Sequence, residues 1–160
     1  MVDKLKLTSA QAVYVAARME QRAVTLYERA LMVFAQGDMK QVIEDLLQEE
    51  RAHLDTFLRL QKLEGEIAPE DALILDGEAE NVLFTGGLTG AVREGAFDSP
   101  LSLLIYAADE EERAMAFYRA HAQNAQGDTR ETFLLIARQE QRHFERLQQQ
   151  ISQLQEDMNA

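Results

Sequence analysis

The sequence predicts an all-α protein, a four-helix bundle of two helical hairpins with one long crossover connection. Apolar residues recur at spacings of three and four along four long segments. The 160 residues contain two prolines and eight glycines, and they are rich in alanine, leucine, glutamine, glutamate and arginine, which favour helices. Residues 65–98 separate the two pairs of segments and are too long for a simple turn. We therefore expect a single domain over residues 1–160.

The first hairpin is predicted over residues 8–64. The motif TSAQ at residues 8–11 can form a capping box at the start of its first helix. The motif QGD at residues 36–38 should end that helix and begin the next, because glycine readily takes the left-handed conformation after a helix and aspartate is a good N-cap. The second helix should end near Gly65.

The second hairpin is predicted over residues 99–155. Ser99 can cap its first helix, and Pro100 fits the first helical position, where its missing N–H has no partner to lose. A second QGD motif at residues 126–128 should form the reversal. Within the crossover we expect a short helix around residues 78–92 or in part of that span.

The two hairpins are related by an internal duplication. The sequence EQRAVTLY at residues 20–27 matches EERAMAFY at residues 111–118, and the motif E-x-x-H at residues 50–53 recurs at residues 140–143. The alternative is that any two amphipathic hairpins look alike. Paired turns and paired polar residues in register favour the duplication.

Polar side chains interrupt the apolar faces of the predicted helices at equivalent points. Each E-x-x-H motif places a glutamate and a histidine on one face of its helix, where leucines would be expected. Counted from the tight turns, a glutamate on the first helix and one on the third lie within about one helical turn of the same height. The candidate metal ligands are Glu20, Glu50, His53, Glu111, Glu140 and His143.

This cluster predicts a dinuclear metal site. Four carboxylates inside a bundle cannot all stay ionised without compensating positive charge, and two divalent cations would supply it. Glutamate oxygens together with imidazole nitrogens suit iron, manganese or zinc better than calcium. The alternative is a metal-free bundle with buried polar pairs.

The other polar residues are expected to lie outside this cluster. Glu49, Glu110, Glu112 and Glu145 should be exposed, because they point away from the core-facing direction of their helices. His121, near the end of the third helix, should favour the carbonyl-rich helix terminus rather than a metal.

Tyr27 and Tyr118 stand on the same helix faces as Glu20 and Glu111. We interpret both as core aromatic residues with a hydrogen-bonded hydroxyl. A second interpretation is a hydrogen bond that supports a carboxylate bridging the two metal ions.

Charge and composition exclude several classes of partner and site. The formal net charge of −12 argues against a nucleic-acid partner and makes cations the more natural ligands. The absence of cysteine excludes disulfides, thiolate metal sites and iron–sulfur clusters within these residues. We find no secretory signal pattern and no membrane-spanning run, so we expect no membrane association and a cytoplasmic location.

The repeated pattern E-x6-Y followed by E-x-x-H resembles the rubrerythrin-like di-iron proteins of the ferritin-like superfamily. The resemblance covers residues 9–64 and 99–155. It implies a ferritin-like bundle, often a homodimer, with two iron ions held by the six candidate ligands. It also implies the oxidation of ferrous iron with dioxygen or peroxide.

The chain departs from true rubrerythrins in two ways. They carry a rubredoxin-like domain built on paired cysteines, and these 160 residues contain no cysteine. They also bear an extra carboxylate on the third helix, where Ala108 and Ala114 stand one turn from Glu111 in this chain.

The leading functional hypothesis is a ferroxidase or a peroxide-reducing enzyme, which would need an external electron donor in the second case. One rival is a non-catalytic protein that binds or senses iron. Another is a structural bundle that dimerises through residues 66–98.

Overall fold

The computed structural model describes residues 2–3, 6–34, 36–82, 90–92 and 94–160. Helices dominate these ranges, in which there is no β-strand. The helices are α1 (Ser9–Val33), α2 (Asp38–Glu64), α3 (Pro69–Val82), α4 (Pro100–Ala122) and α5 (Gly127–Asn159). The predicted all-α fold class is therefore confirmed. Within the described residues, none of the helices has both the length and the apolar character needed to cross a bilayer.

Helix α1 packs along α2, and α4 packs along α5, as the predicted hairpins require. The capping box forms at the start of α1: the Gln11 N–H donates to Thr8 Oγ1 at 3.1 Å, and the Thr8 N–H donates to Gln11 Oε1 at 3.0 Å. At the start of α4, the Ser99 hydroxyl accepts a hydrogen bond from the Ser102 N–H at 3.0 Å. Because α1 also contacts α4 and α2 contacts α5, the four long helices share one interior.

The turn between α1 and α2 differs from its prediction. Helix α1 ends at Val33, before the QGD motif, and Phe34 is its C-cap. Asp38 is the first residue of α2 rather than its cap. Gly37 occupies the N-cap position with a φ of 78°. Glycine is suited to this conformation because a Cβ would be strained there.

The crossover helix lies earlier in the chain than predicted. Helix α3 covers Pro69–Val82, so it overlaps the expected span only at residues 78–82. Proline is favoured at the start of a helix, and two acidic residues in the first turn interact favourably with the positive end of the helix dipole. Residues 90–92 are also helical, and residues 83–89 lie outside the described part of the chain.

Helix α5 is longer than predicted and continues to Asn159. The Gln153 amide donates to Asp157 Oδ1 at 3.0 Å, one turn further along the exposed helix surface. Such local side-chain pairs support a helix without tertiary packing. The polar tail therefore continues the helix.

Helix α3 docks on α1 through polar side chains. The Tyr14 hydroxyl donates to Asp76 Oδ1 at 2.8 Å, and Arg18 Nε lies 3.0 Å from the same oxygen. One turn away, Arg22 Nη2 donates to Glu80 Oε1 at 2.7 Å. The start of the crossover is thus held along one side of α1.

An aromatic layer lies inside the bundle. The rings of Phe57, Tyr118 and Phe133 are mutually tilted, with centroids 5.3 to 5.9 Å apart. All three side chains are at most 2% exposed. Aromatic pairs at such separations contribute beyond the area they bury. This layer brings together α2, α4 and α5, and the Tyr118 hydroxyl extends from it toward Glu20.

Candidate metal centre

The structure brings all six predicted ligands into the bundle interior. Their exposed fractions range from 1 to 5%. Each E-x-x-H motif lies in a continuous helix, so its glutamate and histidine share one face. The remaining two glutamates come from α1 and α4. Every long helix therefore contributes to the cluster.

The ligand atoms form two overlapping groups. The first group is Glu20, Glu50, His53 and Glu140, and the second is Glu50, Glu111, Glu140 and His143. Within each group, one ligand atom from every residue lies within 4.8 Å of the others. Glu50 and Glu140 belong to both groups, so their carboxylates lie between the two positions.

The Nδ1 atom of each imidazole lies closest to the shared carboxylate of the opposite hairpin. His53 Nδ1 lies 2.8 Å from Glu140 Oε1 and 3.6 Å from oxygens of Glu20 and Glu50. His143 Nδ1 lies 2.9 Å from Glu50 Oε1. The two rings are stacked with centroids 5.6 Å apart. Both Nδ1 atoms therefore face the shared carboxylates.

Unpartnered polar atoms show that this donor set fits metal ions. Each of the six residues has one buried atom that makes no hydrogen bond of normal geometry: Glu20 Oε2, Glu50 Oε1, His53 Nδ1, Glu111 Oε2, Glu140 Oε1 and His143 Nδ1. The two Nδ1 atoms instead lie 2.8 and 2.9 Å from the oxygens of Glu140 and Glu50. Buried polar atoms without partners are costly and rare in folded proteins. Oxygen and nitrogen atoms converging in this way can each donate a lone pair to a cation.

The carboxylates do not all favour the ionised state. Burial, reinforced by neighbouring carboxylates, raises the pKa of Glu20 and Glu140 well above the ordinary value, and it also raises the pKa of Glu111. Burial opposes ionisation of Glu50 as well, but contacts with Glu20 and the two imidazoles outweigh it and hold the pKa of Glu50 well below its usual range. Cations entering the cluster would therefore displace protons.

The same carboxylates raise the pKa of both imidazoles. Burial alone lowers a histidine pKa, but the surrounding carboxylates outweigh it and raise the pKa of His53 above its usual value. The same balance raises the pKa of His143 to about 10. The carboxylates therefore favour a positive charge at this position, and a bound cation would supply one.

The two tyrosines connect the hairpins. The Tyr118 hydroxyl donates to Glu20 Oε1 at 2.6 Å, and the Tyr27 hydroxyl donates to Glu111 Oε1 at 3.1 Å. Each acceptor belongs to only one of the two ligand groups, so the hydroxyls contact unshared carboxylates. Both tyrosines are buried core residues with a hydrogen-bonded hydroxyl, as predicted. Burial raises the pKa of both phenols, which keeps them protonated as donors.

Two residues that sequence reasoning missed contact the outer edges of the imidazoles. His53 Nε2 lies 2.7 Å from Gln139 Oε1, and His143 Nε2 contacts Glu49 Oε2. Glu49 was expected only to be exposed, and its side chain is indeed 53% exposed while making this contact. Glu49 and Gln139 each precede a shared glutamate, so the duplication was a signal that could have found them.

Glu110 does not lie where the sequence predicted. Its side chain is buried, with Oε2 unpartnered, rather than exposed. Burial raises the pKa of Glu110 to about 9, although the guanidinium of Arg113, 3.6 Å away, opposes this. Helix α4 buries residues around most of its circumference, so its periodicity alone did not reveal this face. Glu112 and Glu145 are exposed, as predicted.

His121 lies outside both ligand groups. Its ring packs on that of Phe117, with centroids 4.2 Å apart. Burial lowers the pKa of His121, so the neutral form is favoured.

A small cavity adjoins the cluster between α1 and α4. It has a volume of about 10 Å³, which is room for roughly one water molecule. The cavity is lined by carboxylates of both hairpins and by Met19, Ala23, Leu26 and Ala114. The small alanine side chains leave this space next to the ligands.

A family model described as Rubrerythrin matches residues 102–160. This range covers most of α4 and all of α5, and it includes Glu111, Glu140 and His143. Neither the curated proteins nor the solved structures that were searched gave a match.

The family match and the fold agree with the resemblance predicted from the repeated motifs. The first hairpin lies outside the matched range, and the duplication connects it to the second. The second hairpin is therefore similar to rubrerythrins, and the all-α fold of the described residues is consistent with the ferritin-like superfamily.

Proposed function

We propose that this protein is a di-iron carboxylate oxidoreductase that oxidises ferrous iron with dioxygen or reduces peroxide. The observation that carries the proposal is the pair of ligand groups joined by Glu50 and Glu140. Two carboxylates in the middle, with a histidine and a further glutamate on each side, form a donor set for two ions of similar coordination. Iron suits this mixture of oxygen and nitrogen, and manganese and zinc are the alternatives.

The roles of the ligands follow from the group to which each belongs. Glu20 and His53 would hold one ion, and Glu111 and His143 would hold the other. The shared carboxylates would keep the two ions close together. When bound, two ferrous ions supply two electrons for the reduction of dioxygen or peroxide.

The surrounding residues orient the ligands and limit access by water. The tyrosine hydroxyls fix one oxygen of Glu20 and one of Glu111, which leaves the second oxygen of each without a protein partner. The aromatic layer of Phe57, Tyr118 and Phe133 is at most 2% exposed. A dry surrounding strengthens the electrostatic interactions between carboxylates and cations.

Rapid mixing of iron-loaded protein tests the proposal. Protein reconstituted without oxygen with two equivalents of ferrous iron should show a transient ferric absorbance after mixing with dioxygen or peroxide, followed by multiple turnovers when iron or reductant is supplied. Binding of two ions without turnover would leave the iron-binding or iron-sensing alternative. No bound metal, even after reconstitution, would leave the structural bundle.

The proposal includes a separate electron donor if peroxide is the substrate. Within these 160 residues there is no cysteine with which to build a rubredoxin-like relay. Steady-state assays with small-molecule reductants would show whether the centre accepts external electrons. We also propose a homodimer, which sedimentation equilibrium would test.

A further inference from the structure

We propose that the two metal positions are inequivalent, because Glu49 places a carboxylate on His143 where Gln139 places a neutral amide on His53. The position that contains His143 should therefore bind the first divalent cation. This inference rests on the proposed metal-binding function and adds a specific residue pair to it.

Both imidazoles are oriented in the same way. Their Nδ1 atoms face the shared carboxylates, at 2.8 and 2.9 Å, while their Nε2 atoms face outward. On that outer side, His53 Nε2 lies 2.7 Å from Gln139 Oε1, and His143 Nε2 contacts Glu49 Oε2. A ring that binds a cation through Nδ1 carries its proton on Nε2, so each outer contact is an N–H donor facing an oxygen acceptor.

The internal duplication makes Glu49 and Gln139 equivalent residues. Each immediately precedes a shared glutamate and reaches the histidine of the opposite hairpin. The remaining donors are matched, since each group has one histidine, one glutamate of its own and the two shared glutamates. Each unshared glutamate also accepts a tyrosine hydrogen bond. The two positions therefore have the same kinds of ligand, and they differ in the charge of the outer acceptor, Glu49 or Gln139.

A charged acceptor changes the properties of the imidazole. A hydrogen bond to a carboxylate is stronger than one to a neutral amide, and it raises the basicity of the ligating nitrogen. Loss of such an outer partner typically costs about 10- to 100-fold in metal affinity. A preference of similar size is expected for the His143 position.

The surroundings allow the acceptor charge to be changed without disturbing the core. Glu49 and Gln139 line an open pocket between α2 and α5, together with Arg142 and Arg146. Arg146 is paired with Asp45 at 2.9 Å. The Glu49 side chain is half-exposed. Exchanging glutamate and glutamine here alters charge with almost no change in volume.

Zinc titration of histidine-labelled protein tests the inference. Substoichiometric Zn²⁺ is added to apo-protein containing ¹⁵N-labelled histidine, and the ring-nitrogen resonances of His53 and His143 are followed by NMR. In the unmodified protein, the first equivalent should perturb His143. In E49Q that preference should disappear, and in the double variant E49Q/Q139E the first equivalent should perturb His53 instead.

The double variant is its own control, because it keeps the composition and net charge and only exchanges the two acceptors. Circular dichroism should show equal helix content in all forms. Two bound Zn²⁺ ions with the same order of filling in all three proteins would overturn this inference and leave the dinuclear centre intact. No Zn²⁺-dependent change at either histidine would overturn both this inference and the proposed function.

Discussion

Glu50 and Glu140 are each 1% exposed, and each belongs to both ligand groups. No other residue of the cluster belongs to both groups. Their carboxylates are also the nearest oxygens to the two Nδ1 atoms, at 2.8 and 2.9 Å. At the scale of single residues, substitution of either shared glutamate should therefore reduce metal binding more than substitution of any unshared ligand.

Replacement of Glu140 by alanine should reduce the metal content from about two ions per chain to fewer than one. The fold should survive, because alanine favours helices and the change removes one of several repelling carboxylates. Elemental analysis after reconstitution, together with circular dichroism, measures both effects. Glu145→Ala, at an exposed position of the same helix, is the matched control. A Glu140→Ala protein that still holds two ions would contradict the shared role.

Replacement of Tyr118 by phenylalanine should lower the free energy of unfolding of the apo-protein by about 1–3 kcal/mol, because it leaves a buried oxygen of Glu20 without its donor. Denaturant unfolding in the presence of a chelator measures the change. Tyr27→Phe is the comparison. Its bond to Glu111 is longer, at 3.1 Å, and its effect should be smaller. A Tyr118→Phe protein as stable as the unmodified one would show that this bond contributes nothing.

At the scale of helices, the contacts between hairpins are largely made by side chains that cross the interior. Each tyrosine bonds a glutamate on the other hairpin, and each histidine Nδ1 lies closest to the other hairpin's shared glutamate. At the surface, Arg146 of α5 donates to Asp45 of α2 at 2.9 Å. The hairpins are thus joined at the cluster and at its rim.

The ion pair between Arg146 and Asp45 predicts that loss of the Asp45 charge lowers stability to an extent that depends on pH. Hydrogen bonds from Arg146 and Gln41 hold the pKa of Asp45 below its usual value. A lowered folded-state pKa adds stability that is present above the unfolded-state pKa and is lost as the pH falls through the folded-state pKa. Asp45→Asn should therefore cost about 0.5 kcal/mol at neutral pH and nothing once Asp45 is protonated in both states.

Urea unfolding of metal-free protein at pH 7 and near pH 2, well below the ordinary carboxyl pKa, would measure this difference. Asp55→Asn, at an exposed position of α2, serves as the control. An equal effect of Asp45→Asn at both pH values would exclude the ion pair as its cause.

At the scale of the whole molecule, the cluster is complete only when the two hairpins pack together. Each ligand group takes side chains from both hairpins, so an unfolded chain does not contain either group. A cation that binds the cluster therefore favours the folded state over the unfolded state.

Metal loading should raise the melting temperature. At a free metal concentration about 100 times the dissociation constant, one site adds about 2.7 kcal/mol, which corresponds to about 5–10 °C for a domain of this size. Differential scanning calorimetry with added Zn²⁺ or anaerobic Fe²⁺ measures the shift, and a chelator should reverse it. Glu140→Ala should show a much smaller shift. No shift in the unmodified protein would argue against binding at the cluster.

The sequence alone determined the fold class, the four long helices and the faces that carry the six candidate ligands. Helical periodicity is a local property, so residues three apart share a face wherever the helix lies. The capping box at Thr8 and the cap at Ser99 are similarly local, and both are present in the structure. Helix ends were predicted less well, because α1 ends before its QGD motif and α5 continues beyond its expected end.

Only the tertiary structure decided which side chains meet across the bundle. It directed Tyr118 to Glu20 and Tyr27 to Glu111, buried Glu110, and placed Glu49 and Gln139 on the outer edges of the imidazoles. These contacts depend on the rotation and offset of one hairpin against the other. Periodicity within a single helix carries no information about those quantities, because they are set by packing between helices.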